Sequence, residues 1–311
     1  MKITKVALIG AGAVGAYFVW GLSEKLGDDF CVIADEERKK RLEQKGIVIN
    51  GKRYFPHVAR AEEADKPDLI LVCTKYDALD GAIEDMKKLV KPETVVISLL
   101  NGVDSEERIG EEIGEEHLLY SVMRIASVRN EEGIVFSPER TAGVYFGEKD
   151  SEAPTERVKA VEELFDIGGI RHVFVENIMA DIWNKYASNI SQNLPQAIIG
   201  VGCGAYQDSE HAFFIAARLW EEVALVARAR GIVIPAKIML FRGVKKDARF
   251  STFQDIDAKR HTEIEMFAGE MIRMGREAGI PVPYCEYTYH AIRAIEERND
   301  GKFDYGVSER V

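Results

Sequence analysis

The sequence is poor in the residues that cross-link small secreted proteins or hold metal ions. Only four of its 311 residues are cysteines, and none lies in a C-x-x-C pair or near histidines at zinc-ligand spacing. Cys31 and Cys73 fall inside apolar runs, a position typical of reduced core thiols. We therefore expect neither disulfides nor a metal.

Long apolar runs and an excess of basic residues are missing too. No run reaches the roughly 18 residues of a membrane span, and no signal-peptide pattern is visible, so a cytoplasmic location is expected. The formal net charge is −11, without the basic patch typical of nucleic-acid binding. We expect neither a membrane nor a nucleic acid as partner.

Closely spaced glycines follow the first apolar run, Val6–Ile9. They match G-x-G-x-x-G, in which the first glycine permits a tight turn, the second lets backbone approach a pyrophosphate, and the third lets a helix pack on the strand. The N-terminus of that helix also favours phosphate. A dinucleotide site is therefore predicted at Gly10, Ala11, Gly12, Ala13, Val14 and Gly15.

The residue that ends the second predicted strand bears on the choice of dinucleotide. This residue is Asp35, and an acidic side chain there can accept hydrogen bonds from ribose hydroxyls and repels a 2′-phosphate. It favours NADH over NADPH. Basic residues just beyond it, Arg38 to Arg41, could offset part of the repulsion, so the choice stays open.

Strand and helix patterns alternate up to about residue 176. Apolar runs at Leu69–Cys73 and Thr94–Ser98 are typical of parallel strands buried on both faces. Asn50-Gly51 between two alternating runs predicts a hairpin with a type I′ turn. The alternation predicts an α/β fold, with a doubly wound, Rossmann-type dinucleotide-binding domain over residues 1–176.

Beyond that point the pattern is helical. Amphipathic repeats predict long helices over Phe213–Arg230 and Asp257–Ala278. We expect an all-helical substrate-binding domain over residues 177–311. Near its start, Lys185, Asn189 and Asn193 are spaced four residues apart, which on a helix aligns one ammonium and two amides. Asparagine is a poor helix former, so a polar site explains this stripe as readily as a solvated helix face does.

Several separated motifs together resemble the ketopantoate reductases (2-dehydropantoate 2-reductases). The resemblance covers essentially the whole chain. The motifs are the glycine loop, Val72-Cys73-Thr74-Lys75, Asn101-Gly102, Trp183-Asn184-Lys185 with Asn189 and Asn193, and Phe250–Asp255 leading to Thr262-Glu263.

The resemblance implies reduction of 2-dehydropantoate to pantoate by NAD(P)H, a step towards pantothenate. It makes Lys185 the general acid and Glu263 a residue that orients cofactor or substrate. It also implies that Asn189, Asn193 and Ser251 hold the substrate, and that Lys75 and Asn101 border the cofactor. Two positions depart from the family. Members often carry arginine, suited to NADPH, where this chain has Asp35, and many carry asparagine where it has Cys203.

Other functions fit parts of the same pattern. The nearest is a related reductase of another small 2-keto acid, because the residue at position 203 differs from the family. A non-catalytic NAD(P)-binding regulator would share the glycine loop but has no use for the Lys185 stripe. A hydroxyacid dehydrogenase working in oxidation shares the two-domain plan. Helical second domains of this kind commonly bury a dimer face, so a homodimer is the candidate assembly.

Overall fold

The computed structural model describes residues 1–241 and 243–305. The chain divides into two compact units, Met1–Asp181 and the residues from Ile182 onward.

The first unit contains the β-strands found among the described residues. They are β1 Val6–Ile9, β2 Phe30–Ile33, β3 Ile47–Ile49, β4 Lys52–Tyr54, β5 His57–Ala59, β6 Leu69–Val72, β7 Val95–Ser98, β8 Leu118–Arg124, β9 Ser127–Asn130, β10 Gly133–Phe136, β11 Gly143–Gly147 and β12 His172–Phe174. Its helices are α1 Gly15–Leu26, α2 Glu36–Lys45, α3 Leu79–Leu89, α4 Ser105–Ile113 and α5 Glu156–Gly168, with short 3₁₀ turns at Gly27–Asp29, Tyr76–Ala78 and Glu115–His117.

Most of these strands form one sheet in the order β12-β11-β8-β7-β6-β1-β2-β5. The pairs from β5 to β8 are parallel, while β11 runs antiparallel to β8. Every residue of β1, β6 and β7 is buried, because helices connect the parallel strands and cover both faces. The predicted doubly wound α/β fold is confirmed.

A second, smaller sheet has the order β4-β3-β10-β9. Its β3–β4 hairpin turns at Asn50 and Gly51, where φ is 49° and 79°. Two consecutive positive φ values are the mark of a type I′ turn, so that prediction is confirmed. The Asn50 side chain also accepts a hydrogen bond from the Phe136 backbone N–H at 3.0 Å, which fastens the turn to β10.

The described residues of the second unit form helices and the loops that connect them. Helix α6, Ile178–Ser188, crosses the boundary between the units and runs into a π-helical turn at Asn189–Asn193; a second π turn covers Glu265–Gly269. The other helices are α7 Leu194–Ile199, α8 Ala205–Asp208, α9 Glu210–Ala229, α10 Ser251–Asp257, α11 Glu270–Ala278 and α12 Pro283–Asn299. Within residues 1–241 and 243–305, no helix is long and apolar enough to cross a bilayer.

The prediction of one continuous helix over Asp257–Ala278 is wrong for the first third of that range. Helix α10 ends at Asp257, and helical structure resumes only with the π turn before α11. The chain reverses at Lys259, whose φ of 52° is left-handed and incompatible with an α-helix. An amphipathic pattern does not reveal such a turn at a residue other than glycine or asparagine.

The long helix α9 holds the start of α12. Glu222 of α9 is buried and accepts hydrogen bonds from the backbone N–H groups of Tyr284 and Cys285, both at 2.8 Å. The first N–H groups of a helix have no partner within it, so a carboxylate from another helix can cap them. Pro283, at the first turn, has no N–H to satisfy.

Candidate functional site

Two glycines of the N-terminal loop are required by the packing of the protein itself. A Cβ on Gly10 would lie 2.6 Å from the carbonyl carbon and oxygen of Cys73, and φ at Gly10 is 97°. A Cβ on Gly15 would lie 2.0 Å from the carbonyl oxygen of Gly10. These glycines let β1 approach the end of β6 and let α1 pack on β1.

Gly12 differs, because a Cβ there would meet nothing within 4 Å. The fold places no demand of its own on this glycine, while a pyrophosphate next to the backbone would. The neighbouring loop residue Ala13 is fixed by the hydroxyl of Ser127, which donates to its carbonyl oxygen at 2.9 Å. A fixed loop, an open glycine and the N-terminus of α1 together fit the phosphates of a dinucleotide.

Thr74 and Lys75 come shortly after β6, and Thr74 borders this loop. The backbone N of Thr74 would lie 2.7 Å from a Cβ on Gly10. The Thr74 hydroxyl is buried and has no hydrogen-bond partner among the described residues. Lys75 comes next, is exposed and starts the 3₁₀ turn Tyr76–Ala78. Sequence reasoning chose Lys75 and passed over Thr74, whose only signal is its position at the end of a buried strand.

Asp35 lies just past β2 and caps α2. Its Oδ1 accepts a hydrogen bond from the backbone N–H of Arg38 at 2.7 Å, and its side chain is 64% exposed. The carboxylate is therefore at the surface, at the carboxyl end of a strand next to β1. As an N-cap, Asp35 contributes about 1 kcal/mol to the stability of α2. This structural role is separate from any contact with a ribose.

Asn101 lies in the loop between β7 and α4 and is half-buried. Both ends of this loop are held by a ring of hydrogen bonds. The hydroxyls of Ser98 and Ser105 lie 2.8 Å apart, Ser105 donates to Glu106 at 2.7 Å, and the hydroxyl of Ser121 in β8 donates to the carbonyl oxygen of Ser98. Sequence reasoning missed this ring, because Glu106 resembles any acidic residue of a solvated helix.

The environment of Glu106 favours its neutral form. Burial raises the pKa of this carboxyl from its ordinary value to about 7, although hydrogen bonds from Ser105 and from the backbone of Ser121 oppose the shift. Asp104, close by, raises it further. A protonated Glu106 can remain buried within the ring without the cost of an unpaired charge.

In the second unit, Lys185, Asn189 and Asn193 do not lie on one regular helix. Lys185 is on α6, whereas the two asparagines begin and end the π turn. On a regular helix, residues eight apart drift by about 80° around the axis. A π turn has more residues per turn than an α-helix. It therefore reduces this drift and keeps Asn193 nearer the side of the helix on which Lys185 lies.

The structure joins two of the predicted substrate residues directly. Asn193 is 4% exposed, and its Nδ2 donates to the hydroxyl of Ser251 at 3.1 Å. Its Oδ1 accepts from the backbone N–H of Thr252 at 3.3 Å. Asn193 therefore holds the start of α10, while Ser251 is exposed and Asn189 half-buried.

The remaining predicted residue, Glu263, is half-buried and lies just before the second π turn. Its carbonyl oxygen accepts from the backbone N–H of Phe267 at 3.1 Å. Cys203, where the family often has asparagine, is buried and donates its thiol to the carbonyl oxygen of Lys245 at 3.1 Å.

Two buried glutamines were also missed. Gln196 is fully buried; it accepts from the Phe250 backbone N–H at 2.7 Å and donates to the Ala248 carbonyl oxygen at 3.0 Å. Gln192 forms a similar pair of bonds with Met239 and Phe241. Both fix the segment that leads to Ser251. In sequence they look like the polar face of a helix, and only the fold reveals their burial.

No group of three or more His, Cys, Asp or Glu side chains that could hold a metal occurs in the part of the chain described. A glycine loop open to a pyrophosphate, on a doubly wound sheet, and a separate helical unit with a lysine and amides define the class: an NAD(P)-dependent oxidoreductase.

Comparison with known proteins identifies the family. Residues 6–151 match the family model of ketopantoate reductase PanE/ApbA, and residues 177–296 match the model of its C-terminal part. The chain belongs to this family, as its resemblance predicted. A 2-dehydropantoate 2-reductase of Pyrococcus horikoshii is 27% identical over 304 residues, which are 96% of this chain and 99% of that relative.

Solved structures share the fold. A ternary structure of D-mandelate dehydrogenase with NADH and anilino(oxo)acetate superposes with a TM-score of 0.81 at 23% identity, covering 95% of this chain and 99% of the other. A dimeric ketopantoate reductase from Staphylococcus aureus gives a TM-score of 0.77 at 20% identity, covering 95% and 99%.

Mutation can separate the two roles of the loop glycines, which are packing within the fold and access of a pyrophosphate to the backbone. We expect Gly12→Ala to fold with an unchanged melting temperature and to bind dinucleotide at least tenfold more weakly, because its methyl group would enter the open space beside the backbone. Thermal unfolding and a fluorescence titration with NADH measure the two effects.

The matched control is Gly15→Ala, whose methyl group would clash with the Gly10 carbonyl oxygen. It should lower the melting temperature. If Gly12→Ala binds NADH like the wild type, the open space is not the phosphate site.

Proposed function

We propose that the protein reduces 2-dehydropantoate to pantoate with NAD(P)H and that Lys185 is the general acid. The observation that carries this proposal is the Asn193–Ser251 hydrogen bond, which joins the polar stripe of Lys185 to the start of α10. Family membership supports the reaction type.

The bound dinucleotide supplies the hydride that reduces the keto carbon. In this proposal the Lys185 ammonium stabilises the negative charge that develops on the keto oxygen and then protonates it. The side chains of Ser251 and Asn189 hold the substrate's carboxylate and hydroxyl with neutral hydrogen-bond donors. Asn193 is buried, so its part is to hold Ser251 rather than to reach the substrate itself.

Glu263 completes the proposed set as the residue that orients cofactor or substrate. The related alternative is a reductase of another small 2-keto acid. This alternative is favoured by Cys203, which stands where the family often has asparagine. The Cys203 thiol donates to the Lys245 carbonyl oxygen, so it does not take over the hydrogen bonds of an asparagine amide. The likeness to D-mandelate dehydrogenase, which binds an aryl keto acid analogue, makes aryl 2-keto acids part of any substrate test.

Replacing the proposed acid tests the reaction. Lys185→Ala should lower kcat with 2-dehydropantoate by about 10²–10⁴-fold, the usual contribution of general acid catalysis, and leave the Kd for dinucleotide unchanged. The matched control is Lys302→Ala, which removes an exposed lysine paired with Glu297. Steady-state rates on 2-dehydropantoate, branched 2-keto acids and phenylglyoxylate, with a dinucleotide titration, give both readouts.

Unchanged turnover of Lys185→Ala would remove this residue from the mechanism. A higher kcat/KM of the wild type on another keto acid would favour the related reductase. Dinucleotide binding without reduction of any keto acid would favour a regulator.

For the cofactor we propose that NADH is preferred. The Asp35 carboxylate is exposed at the end of β2 and would repel a 2′-phosphate. Asp35→Asn tests this, because asparagine keeps the N-cap of α2 and removes only the charge. The ratio of kcat/KM for NADPH to that for NADH should rise by about tenfold, as expected for about 1.4 kcal/mol of repulsion.

Asp28→Asn, at an exposed aspartate before β2, is the control and should leave the ratio unchanged. A wild-type enzyme that strongly prefers NADPH would contradict this interpretation of Asp35.

As partner we propose a second copy of the chain, which meets the first through a surface on α9. This surface, called the α9 patch, consists of Phe213, Phe214, Arg218, Glu221 and Leu225. Phe213 is 41% exposed, Phe214 51% and Leu225 53%. Exposed aromatic and aliphatic side chains in one contiguous stripe are typical of an interface.

Charges of both signs at the α9 patch permit a second copy as its occupant, although the chain is acidic overall. The net charge of the chain is −11, so two copies repel each other over most of their surfaces. The groove at the patch is lined by Glu210 and Glu221 but also by Arg218 and Lys237. Arg218 is already paired with Glu221 of its own helix at 2.6 Å. A two-fold interface brings the same patch together twice, so that Lys237 of one copy can approach Glu210 of the other.

Phe214→Glu should convert the dimer into a monomer, because it buries a charge in the centre of the proposed interface. Phe55→Glu is the control, since Phe55 is also exposed but lies in the first unit beside β4. Light scattering after size exclusion gives the mass. A wild-type monomer at micromolar concentration, or a dimer that survives Phe214→Glu, would contradict the proposed interface.

A further inference from the structure

The segment between α10 and Glu263 is held by the end of α12. Asn299 donates from Nδ2 to the Ile256 carbonyl oxygen at 3.2 Å. Glu296 accepts through Oε1 from the backbone N–H of Thr262 at 2.7 Å and from its hydroxyl at 2.8 Å. Asp300 lies 3.1 Å from Nε2 of His261. We call Glu296, Asn299 and Asp300 the α12 clamp.

Glu296 is the buried member of the α12 clamp, with 2% of its side chain exposed. Burial of a carboxylate is costly unless hydrogen bonds and an opposite charge compensate for it. Here Arg293, one turn earlier, lies 2.8 Å from Oε2, while Oε1 accepts both donors of Thr262. Arg293 thus supplies the opposite charge, while Thr262, which lies outside the helix, supplies the two hydrogen bonds to Oε1.

The segment needs such a support. It contains the left-handed turn at Lys259, a conformation that costs about 1 kcal/mol or more for a residue with a side chain. It has no helix or strand of its own from Ala258 to Thr262. The backbone N–H groups of residues 258–260 donate back to carbonyl oxygens of α10, so the bonds to α12 matter most for His261 and Thr262, which follow.

The support acts next to Glu263. Two bonds fix the backbone N–H and the hydroxyl of Thr262, the residue that precedes Glu263, and the Phe267 N–H fixes the Glu263 carbonyl from the other side. The backbone of Glu263 is therefore set from both directions. The start of the same stretch, Ser251, is set by Asn193.

We propose that Glu296 is a positioning residue, which acts through Thr262 to set Glu263 for the reaction. This inference rests on the proposed function only in giving Glu263 a part in the reaction. The contacts of the α12 clamp are independent of that part.

A double-mutant cycle with Glu263→Gln tests the coupling. Glu296→Ala should lower kcat/KM at least tenfold and leave the Kd for dinucleotide within twofold. Glu296→Gln should restore most of the activity, because its Oε1 can still accept both bonds from Thr262. Glu297→Ala, at an adjacent residue that pairs with Lys302 on the surface, is the control and should behave like the wild type.

In the Glu263→Gln background, Glu296→Ala should cause less than a twofold further loss, because the residue that it positions is already disabled. Multiplicative losses would mean that Glu296 acts independently of Glu263 and would overturn the proposal. If Glu296→Ala does not fold, Thr262→Val, which removes one of the two bonds, takes its place, with Thr262→Ser as the conservative rescue.

Hydrogen exchange separates this inference from the proposed function. In the full chain, Glu296→Ala should speed exchange of backbone amides in residues 258–264 and leave those of α9 unchanged, whatever the substrate is. Unchanged exchange in that segment would overturn the clamp. Full activity of Glu263→Gln would contradict the role of Glu263, and an inactive wild type would contradict the proposed function, while the exchange result would still decide whether Glu296 holds the segment.

Discussion

The close approach of the first helix to the first strand is the constraint on which the dinucleotide-binding unit depends. No side chain fits between the α-carbon of Gly15 and the carbonyl oxygen of Gly10, and none fits between Gly10 and the end of β6. These contacts direct the N-terminus of α1 towards the carboxyl edge of the sheet. The open backbone at Gly12, the Thr74 hydroxyl and the loop with Asn101 can serve a ligand at that edge because the helix is held so near.

The sequence was most informative where one residue type alone can satisfy the geometry. Glycines at close contacts, Asn50-Gly51 in a type I′ turn and all-apolar central strands leave few alternatives, and these predictions are confirmed. The burial of polar residues could not be predicted, because it depends on hydrogen-bond partners that are distant in the sequence. Glu106, Gln196 and Glu296 look like surface residues of helices, but each is buried because another segment supplies its hydrogen bonds.

The helical unit shows the same limit in its backbone. A pattern of apolar residues assumes a constant number of residues per turn, and it therefore overlooked the π turn at Asn189–Asn193 and the left-handed turn at Lys259. Both irregularities fall beside residues that the family resemblance assigns to the reaction. Regular helices are specified by local propensity, whereas such interruptions persist because the surrounding structure holds them.

The candidate binding groups are mostly neutral, although the chain is acidic and its proposed ligands are anions. With a net charge of −11, the protein as a whole repels anions, and both a dinucleotide and a keto acid are anionic. Backbone N–H groups at a helix N-terminus, amides and hydroxyls bind anions at short range without adding charge. The charge of Lys185 is then not needed for attraction alone. We therefore assign its ammonium to the keto oxygen of the substrate. That oxygen must receive a proton, which a neutral amide or hydroxyl donates far less readily.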